Sequence, residues 1–493
     1  MAAPLVCLPT LRRKIPVYEV MDEEGVELIH EASMGILEET GIEFRDPEAL
    51  DNWRRAGARV EDQRVRIGRD LLMALIEQAP ESYELHGRNP ERKVTVGGRN
   101  MVFAPMYGAA FVLDFDGTRR YSTLEDLQSF LKMSHVSPAL HLSGGIICEP
   151  VNLPVPKRHL HSVLACLTLS DKPFMGSVTA RERAEDSVAM AKIVFGDDFV
   201  ESNTVMTSVC NCNSPLVWDQ TMLDAVKVYA RHNQAVLLSP FVLAGASTPA
   251  SSVGALAQLN AEALAGVAFA QTVRPGVPMV YGQFLAPVSM RSGAPMAGTP
   301  EISLMNFMIG QMARRYRLPW RSSGMTCGAK VVDAQAAYES TITMEAVVLS
   351  GANFVFHSAG WLEAGLAASF AKFALDAEQT EMYYRLAQGV SFEDLDEAMD
   401  AVREVGPGGH FLGTRHTRER FQDAFFMPEL LDNNSYEQWL AEGACDANAR
   451  GLRKAREMIE SYDDHAPKLD PAVEEELRAF VTRREAELPD SLE

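Results

Sequence analysis

Three side chains suited to binding or polarising a small molecule, His357, Trp361 and Glu363, lie within seven residues of this sequence. They fall in the stretch GANFVFHSAGWLEAGLAASFAKFALDAE, residues 351–378, which predicts a short strand, a loop and an amphipathic helix. In parallel α/β folds, binding and catalytic side chains collect where strands end. The loop is therefore a candidate functional site. The alternative is an ordinary connection with a packed histidine and tryptophan.

From residue 140 onward, short apolar runs alternate with helical stretches, which indicates βα units and a parallel sheet. Seven runs predict strands, at residues 142–148, 173–178, 204–210, 235–241, 278–284, 319–324 and 353–357. Each is followed by a predicted helix, and residues 409–412 are a candidate eighth strand. The pattern predicts an α/β fold of the (β/α)8 TIM-barrel class. A doubly wound open sheet is the alternative, but no glycine-rich phosphate turn follows any strand.

The rest of the chain predicts two extensions of this barrel. Residues 1–135 read as an N-terminal helical and β-hairpin extension, with hairpin arms at residues 101–103 and 111–115. The catalytic barrel is then expected over residues 136–430, with C-terminal helices over 431–493. The tail is rich in alanine and charge at helical spacing, so we expect it to cover the barrel or to form a subunit contact in a homo-oligomer.

The amino-acid composition limits which classes of binding partner and which cellular compartment suit this chain. The formal net charge of -21 disfavours a nucleic-acid partner, because phosphate binding needs clustered Lys and Arg. Seven cysteines are an odd and dispersed set, which indicates a reducing compartment rather than a disulfide scaffold. The first residues do not resemble a secretory signal, and we find no uninterrupted apolar run of about 18 residues. We therefore expect a cytoplasmic protein without a membrane partner.

Residues at strand ends of a barrel meet at one mouth although they are far apart in sequence. The predicted strands place the following side chains there: Asn213, Phe241, Gln283, Arg321, His357, His410 and Phe411, with Tyr107 from the N-terminal hairpin. The set is rich in aromatic rings and poor in paired carboxylates, which argues against glycosidase chemistry. The sequence also has no GxSxG nucleophile elbow.

A zinc site at Cys210 and Cys212 is a separate hypothesis. Residues two apart on a strand point to the same face, so both thiols could reach the mouth. No histidine lies nearby at metal-ligand spacing, and small packing cysteines are the alternative. We expect no tightly bound metal.

Three segments together resemble the trimethylamine methyltransferase superfamily over residues 20–460 or so. They are GANFVFHSAGWLEAGL followed by Ser369, Lys372 and Asp376, then GPGGHFLGTRHTRERF with FFMPELLDNN downstream, and FVLDFDGTRRYSTLEDL near the front. The resemblance implies a (β/α)8 barrel that transfers a methyl group from a methylated amine to the Co(I) corrinoid of a cognate protein. Because the chain contains only the standard twenty residues, it resembles the non-pyrrolysine branch, which acts on quaternary amines such as glycine betaine, proline betaine and carnitine.

That branch needs a site for a cation. A quaternary nitrogen leaves as a neutral amine without protonation, so the protein has to position and desolvate the methyl group and offer aromatic faces to the charge. The resemblance implies that Tyr107, Trp361 and Phe411 form a wall of aromatic rings for the cation. It also implies that Arg321 and His357 bind the carboxylate and that His357 is catalytic. The full set of candidate substrate-binding residues is Tyr107, Gln283, Arg321, Gln335, His357, Trp361 and Phe411. For Gln335, helix capping is the ordinary alternative.

Two other functions stay open at this point. One is a zinc-dependent corrinoid methyltransferase for a thiol or methanol, with the metal at Cys210 and Cys212. The other is a non-catalytic paralogue that binds a betaine or a corrinoid protein without moving a methyl group.

Overall fold

The computed structural model describes residues 5–491, and its centre is a curved sheet of short parallel strands. The strands are Asn100–Phe103, Phe174–Met175, Met206–Cys210, Ala235–Leu238, Met279–Gly282, Trp320–Ser323 and Phe354–Phe356. The last six pair in chain order, and Phe354–Phe356 then pairs in parallel with Asn100–Phe103. All six are buried at every residue, as strands covered on both faces must be.

Residues 141–145 lie between the two ends of this sheet. The amides of His141 and Leu142 donate to the Phe103 carbonyl at 2.9 and 3.4 Å. On the other side, the Ser143 amide donates to the Pro173 carbonyl at 3.0 Å, and the Met175 amide donates to the Gly144 carbonyl at 2.9 Å. Gly144 has a φ of +94°, so the segment is not a regular strand, in contrast to the strand predicted at residues 142–148.

The predicted eighth strand at residues 409–412 is wrong. These residues form an exposed turn between the helices Leu395–Val405 and Arg415–Arg420. Gly406 and Gly408 have positive φ values there, which suits a turn and not a strand. The place beside Phe354–Phe356 is taken by Asn100–Phe103, whose apolar side chains need the burial that the central sheet provides.

The strand pairing predicted for the N-terminal hairpin is wrong, although a hairpin does form around the turn at Asp116 and Gly117. Its first arm is the central strand Asn100–Phe103, whereas Phe111–Leu113 pairs with Arg119–Tyr121 and with Ala367–Ser369. The pattern of apolar residues identified both strands but could not identify their partners. The predicted boundary near residue 135 therefore does not separate the sheet from the N-terminal residues.

Helices follow the strands and cover the sheet, as the alternating pattern predicted. They are Arg158–Leu169, Arg181–Phe195, Gln220–Arg231, Ser252–Val273, Pro300–Arg315, Ala334–Ser350 and Phe370–Ala387. Side chains that cap backbone amides begin several of them, such as Asp219, Ser251 and Asp333. Ser252–Val273 is long and apolar enough to span a membrane by length and composition, but 89% of its most apolar window is buried inside the protein, as in the core helix of a globular domain.

Elements before residue 140 pack around this core. The helices are Glu23–Gly35, Pro47–Ala56, Arg69–Ile76 and Leu124–Val136, with a π-helical turn at Ile36–Thr40 and a 3-10 turn at Pro90–Arg92. The peripheral strands are Leu11–Arg12, Ile42–Phe44, Arg59–Glu61, Arg64–Arg66, Ser82–Leu85 and Val94–Gly97.

Short elements at the strand ends and the C-terminal helices complete the fold. The short elements are Asp197–Ser202, Val217–Trp218, Phe241–Ala244, Phe284–Pro287, Trp361–Leu362 and the 3-10 turn Glu363–Gly365. The C-terminal helices are Tyr436–Ala441, Ala447–His465 and Pro471–Glu487. Ala447–His465 packs along Phe370–Ala387, so part of the tail covers the central fold.

Candidate active site

A row of six rings, which we call the aromatic wall, crosses the carboxyl ends of the central strands. In order across the mouth, the rings are Tyr107, Phe356, His357, Trp361, Phe284 and Phe241. Neighbouring centroids lie between 4.3 and 6.2 Å apart, so each ring contacts the next. Phe241 and Phe284 stack face to face because the short strands that carry them pair in parallel, with these two residues in register.

The turn after Phe354–Phe356 places His357 and Trp361 in this wall. His357 has a φ of +56°, a conformation that is uncommon for a residue with a side chain and is frequent at functional sites. Trp361 is fixed by a hydrogen bond from its indole Nε1 to the Cys327 carbonyl at 3.1 Å. Gly365 lies against the indole where a Cβ atom would collide with it. The loop is thus held in one shape by its own contacts.

Arg321 is a buried cation beside the wall. Its guanidinium donates to Ser239 Oγ at 3.1 Å, to the carbonyl of Gln283, and to His357 Nε2 at 3.0 Å. Its Nε has no hydrogen-bond partner, and no carboxylate of residues 5–491 forms an ion pair with it. Burial lowers the pKa of Arg321 to about 9, which leaves the group charged at neutral pH. A buried charge without a counterion favours binding of an anion.

His357 is a neutral imidazole in this arrangement. Because a guanidinium can only donate, His357 Nε2 must accept, and the proton of the ring then resides on Nδ1. Burial, with the nearby Arg321 charge, lowers the pKa of His357 well below its ordinary value. Nδ1 has no partner among the described residues, so the ring offers a free N–H donor.

Gln283 connects the buried cation to a cavity. Its Nε2 donates to Ser322 Oγ at 2.8 Å and to Asn306 Oδ1 at 3.1 Å, and its Oε1 accepts from the Leu285 amide at 2.7 Å. The amide group is thereby fixed, and the Gln283 carbonyl holds Arg321. Gln283 also lines a small cavity of about 30 Å³ together with the wall residues Phe284 and Trp361. An empty space of this size holds about one or two water molecules.

The structure thus brings together five of the seven predicted site residues: Tyr107, Gln283, Arg321, His357 and Trp361. Burial raises the pKa of Tyr107 above its ordinary value, so its hydroxyl stays protonated. The other two are not part of these contacts. Gln335 is exposed in the first turn of Ala334–Ser350 and donates to Glu339 at 3.0 Å. Phe411 is 44% exposed, and its ring does not stack on another aromatic ring within residues 5–491.

Glu363, the carboxylate of the loop, accepts from Arg119 Nε at 2.9 Å. Glu363 is thus engaged in an ion pair outside the aromatic wall. This pair connects the loop to the strand Arg119–Tyr121.

Sequence reasoning named Lys372 and Asp376 only as part of a family motif and did not foresee that they form a buried ion pair beneath the loop. Lys372 Nζ donates to Asp376 and, at 2.8 Å, to Ser340 Oγ, while Asp376 Oδ2 accepts from the Gly360 amide at 2.9 Å. Burial raises the pKa of Asp376 to about 6. The sequence held a signal for this pair. Lys372 and Asp376 lie four residues apart among apolar neighbours, and charged side chains are rarely buried unless they are paired. The pair supports the backbone between His357 and Trp361.

The wall residues Phe284 and Phe356 were also missed. Both lie at the ends of predicted strands, but a phenylalanine there is equally typical of the core. Only the pairing of neighbouring strands shows which rings meet.

The thiols of Cys210 and Cys212 do not form a metal centre with other side chains. Burial raises the pKa of both groups, which opposes the thiolate form that zinc requires. Cys212 Sγ donates to the Val217 carbonyl at 3.1 Å. Within residues 5–491, no group of three His, Cys, Asp or Glu side chains is placed to hold one metal ion. The donor set therefore does not fit zinc.

Comparison with known proteins gives a consistent picture. The family model described as trimethylamine methyltransferase (MTTB) matches residues 2–489. A glycine betaine methyltransferase from Desulfitobacterium hafniense is 42% identical over 475 residues, which cover 96% of this chain and 98% of that protein. A proline betaine:corrinoid methyltransferase from Eubacterium limosum is 28% identical, covering 89% of this chain and 92% of that protein.

The fold also matches a solved structure. The crystal structure of the monomethylamine methyltransferase of Methanosarcina barkeri aligns with a TM-score of 0.51, at 11% identity, over 90% of this chain and 89% of that one. At this identity the likeness concerns the fold alone.

The unpaired charge of Arg321 predicts an unusual response of stability to mutation. Arg321→Met removes a buried charge that has no carboxylate partner, so the free energy of unfolding should stay within about 1 kcal/mol of the wild-type value or rise. Arg92→Met is the matched control. The Arg92 side chain is only 11% exposed but pairs with Asp171 at 2.9 Å, so its loss should lower the free energy of unfolding by about 2–4 kcal/mol. Denaturant unfolding of both variants measures the difference. An equal loss in the two would contradict the assignment of Arg321 as unpaired.

Proposed function

The chain belongs to the trimethylamine methyltransferase family, and on that premise we propose that it transfers a methyl group from a quaternary betaine to the Co(I) corrinoid of a cognate protein. Glycine betaine is the proposed donor, since the relative at 42% identity bears that substrate in its name. The sequence contains only the standard twenty residues, so the chain is a member without pyrrolysine. A cytoplasmic location is part of the proposal, because free cysteines suit a reducing compartment.

We further propose that the central sheet works as a closed (β/α)8 barrel. Residues 141–145 would take the place of the eighth strand, and their hydrogen bonds to Phe103 and to the segment that begins at Pro173 support this. The barrel would then comprise Asn100–Phe103 and residues 136–430, with the remaining N-terminal residues and residues 431–493 as extensions. Closure matters for the function because it places the ends of all strands around one mouth.

The observation that carries the proposal is the buried, unpaired guanidinium of Arg321 next to an aromatic wall. A betaine has a carboxylate at one end and a trimethylammonium group at the other, so it complements both features. The carboxylate would bind Arg321 through the free Nε–H and would also accept from the Nδ1–H of His357. Gln283 would act through Arg321, by fixing the position of the guanidinium.

The trimethylammonium end would lie against the aromatic wall. An aromatic ring attracts a cation through the negative face of its π system, by about 0.5–2 kcal/mol per contact. Trp361 and Phe284, which line the cavity, and Tyr107 at the other end of the wall are the proposed contacts. A place for Phe411 in the wall stays a prediction, as does a positioning role for Gln335.

This site suits a leaving group that needs no proton. The corrinoid of the partner protein supplies the nucleophilic cobalt, and this chain binds, orients and desolvates the amine. When the N–CH3 bond breaks, both electrons stay on nitrogen and neutralise its charge, so no general acid is required. The neutral state of His357 agrees with this chemistry. The role of the protein is to hold the methyl group in line with its acceptor.

Methyl transfer itself is the first test of the proposal. The purified protein, mixed with cob(I)alamin or a reduced corrinoid protein, should convert glycine betaine to dimethylglycine with formation of methyl-Co(III). Absorption spectroscopy measures the loss of Co(I), and mass spectrometry measures the amine. Turnover with methanol or a thiol and none with any betaine would favour the zinc alternative. Betaine binding without turnover would favour the non-catalytic alternative.

Two variants separate the two ends of the site. Arg321→Gln should weaken binding of glycine betaine roughly 30-fold or more, because a charge-assisted hydrogen bond is lost, but should leave choline binding nearly unchanged. Trp361→Leu should weaken both ligands by a similar factor of about 3–30, since both carry the same cation. Isothermal titration of each variant with each ligand gives the comparison. Equal loss of both ligands in Arg321→Gln would mean that Arg321 does not bind the carboxylate.

The lowered pKa of Arg321 predicts a pH dependence. The guanidinium is fully charged well below pH 9 and loses its proton as the pH rises through about 9. Affinity for glycine betaine should therefore be constant from about pH 6 to 8 and then fall by up to tenfold per pH unit above about 9. Since the pKa of His357 is lowered well below its ordinary value, no change is expected near pH 6.5. Choline measured over the same range is the control, and an equal fall in its affinity would contradict the role of Arg321.

A further inference from the structure

Buried polar atoms without a hydrogen-bond partner are concentrated beside Arg321. Within residues 5–491, thirteen buried side-chain atoms have no partner, and three of them lie at the ends of two neighbouring strands. They are Arg321 Nε, Ser323 Oγ and His357 Nδ1. Folded proteins satisfy most of their buried polar groups, so three such atoms in one place indicate a partner from outside the chain. Of the three, only the Ser323 hydroxyl lies outside the proposed contacts of the betaine.

The strand register places the side chain of Ser323 on the same face as that of Arg321. Side chains two residues apart on a strand point to the same face. Ser323 lies opposite Phe356 in the neighbouring strand, and Arg321 lies opposite Phe354. Both phenylalanines pack in the apolar cluster inside the curved sheet. The hydroxyl of Ser322, between the two, instead donates to a side chain of a covering helix. Ser323 therefore points into the sheet, one step closer to the mouth than Arg321.

Ser323 also borders the aromatic wall. Its register partner Phe356 is a ring of the wall, and His357 follows that ring directly in the chain. Two residues after Ser323, the Met325 amide donates to the His357 carbonyl at 2.8 Å, which holds the two strand ends together. Ser323 further lines the small cavity that the wall residue Trp361 lines. The hydroxyl is thus adjacent both to the buried cation and to the rings.

The chemistry of the three free groups indicates what they bind. The guanidinium Nε–H and the imidazole Nδ1–H can only donate, and a serine hydroxyl can rotate to donate as well. An ionised carboxylate has two oxygens with about four acceptor positions, enough for all three donors. Ser323 is only 6% exposed, so its hydroxyl loses its bonds to bulk water and gains none from the protein. A buried hydroxyl in this state lowers stability unless a ligand completes it.

We infer that Ser323 is a further substrate-binding residue, whose hydroxyl donates to the carboxylate of the betaine beside Arg321 and His357. The inference rests on the proposed function and adds a determinant of specificity to it. A cation that lacks a carboxylate would leave three buried donors unpaired, and sites of this kind discriminate strongly against such ligands. The three donors therefore select the acidic end of the substrate, whereas the aromatic wall selects the cationic end.

The variant Ser323→Ala tests the inference through ligand selectivity. Its affinity for glycine betaine should fall about 10- to 100-fold, because a hydrogen bond to a charged acceptor is lost. Its affinity for tetramethylammonium, which has the cation but neither a carboxylate nor a hydroxyl, should stay within about twofold of wild type. Isothermal titration of the full-length protein with each ligand measures both values. A role of Ser323 in structure alone would change the two affinities together.

Thr207→Val is the matched control. Thr207 is another buried residue with a hydroxyl in the central sheet, near the start of the strand Met206–Cys210 and thus at the end away from the mouth. This variant should bind both ligands as wild type does. Denaturant unfolding of Ser323→Ala is the second measurement. Because the hydroxyl has no partner in the protein, the midpoint should stay at or above the wild-type value.

The outcomes separate this inference from its premise. Unchanged affinity of Ser323→Ala for glycine betaine, with weaker binding in Arg321→Gln, would overturn the role of Ser323 and leave the proposed function intact. An equal loss of both ligands in Ser323→Ala, or a clear drop in its unfolding midpoint, would also overturn it, since the hydroxyl would then have a structural partner. A wild-type protein that binds no glycine betaine would overturn both.

Discussion

Arg321 holds a full positive charge where water does not reach, and no carboxylate of the described residues balances it. Folded proteins rarely keep such a group, because desolvation of an ion is expensive unless a counterion is close. The groups around Arg321 carry no negative charge that could neutralise it. Ser239, the Gln283 carbonyl and the neutral His357 accept its hydrogen bonds and only orient the guanidinium. In the proposed function, the carboxylate of the substrate supplies the missing partner of this charge.

Much of the surrounding structure serves to hold this group and the aromatic wall in fixed positions. The side-chain amide of Gln283 forms hydrogen bonds through both its nitrogen and its oxygen, which fixes the end of the strand. The backbone carbonyl of Gln283 then orients the Arg321 guanidinium. The buried pair of Lys372 and Asp376 supports Gly360 from below, between the two wall residues of the loop. Preorganisation of this kind has a physical purpose: a charge and a ring that are already in place need no reorganisation when the ligand binds.

The central sheet supplies the frame on which the site depends. Its short strands are buried on both faces, and the ends of this rigid frame carry the site. The frame explains why residues from distant parts of the sequence meet at the mouth.

The sequence by itself determined the alternation of strands and helices, the strand ends and the family, because apolar periodicity and local motifs are properties of neighbouring residues. Those local patterns were enough to name Arg321, His357 and Trp361 as candidates, and the structure brings these three side chains together. Only the tertiary structure decided which strands are partners: Asn100–Phe103 entered the central sheet, and residues 409–412 left it. It also decided that Phe284 and Phe356 join the wall and that Arg321 has no counterion. Pairing, burial and the absence of a charge partner depend on residues that are distant in sequence, so no local pattern encodes them.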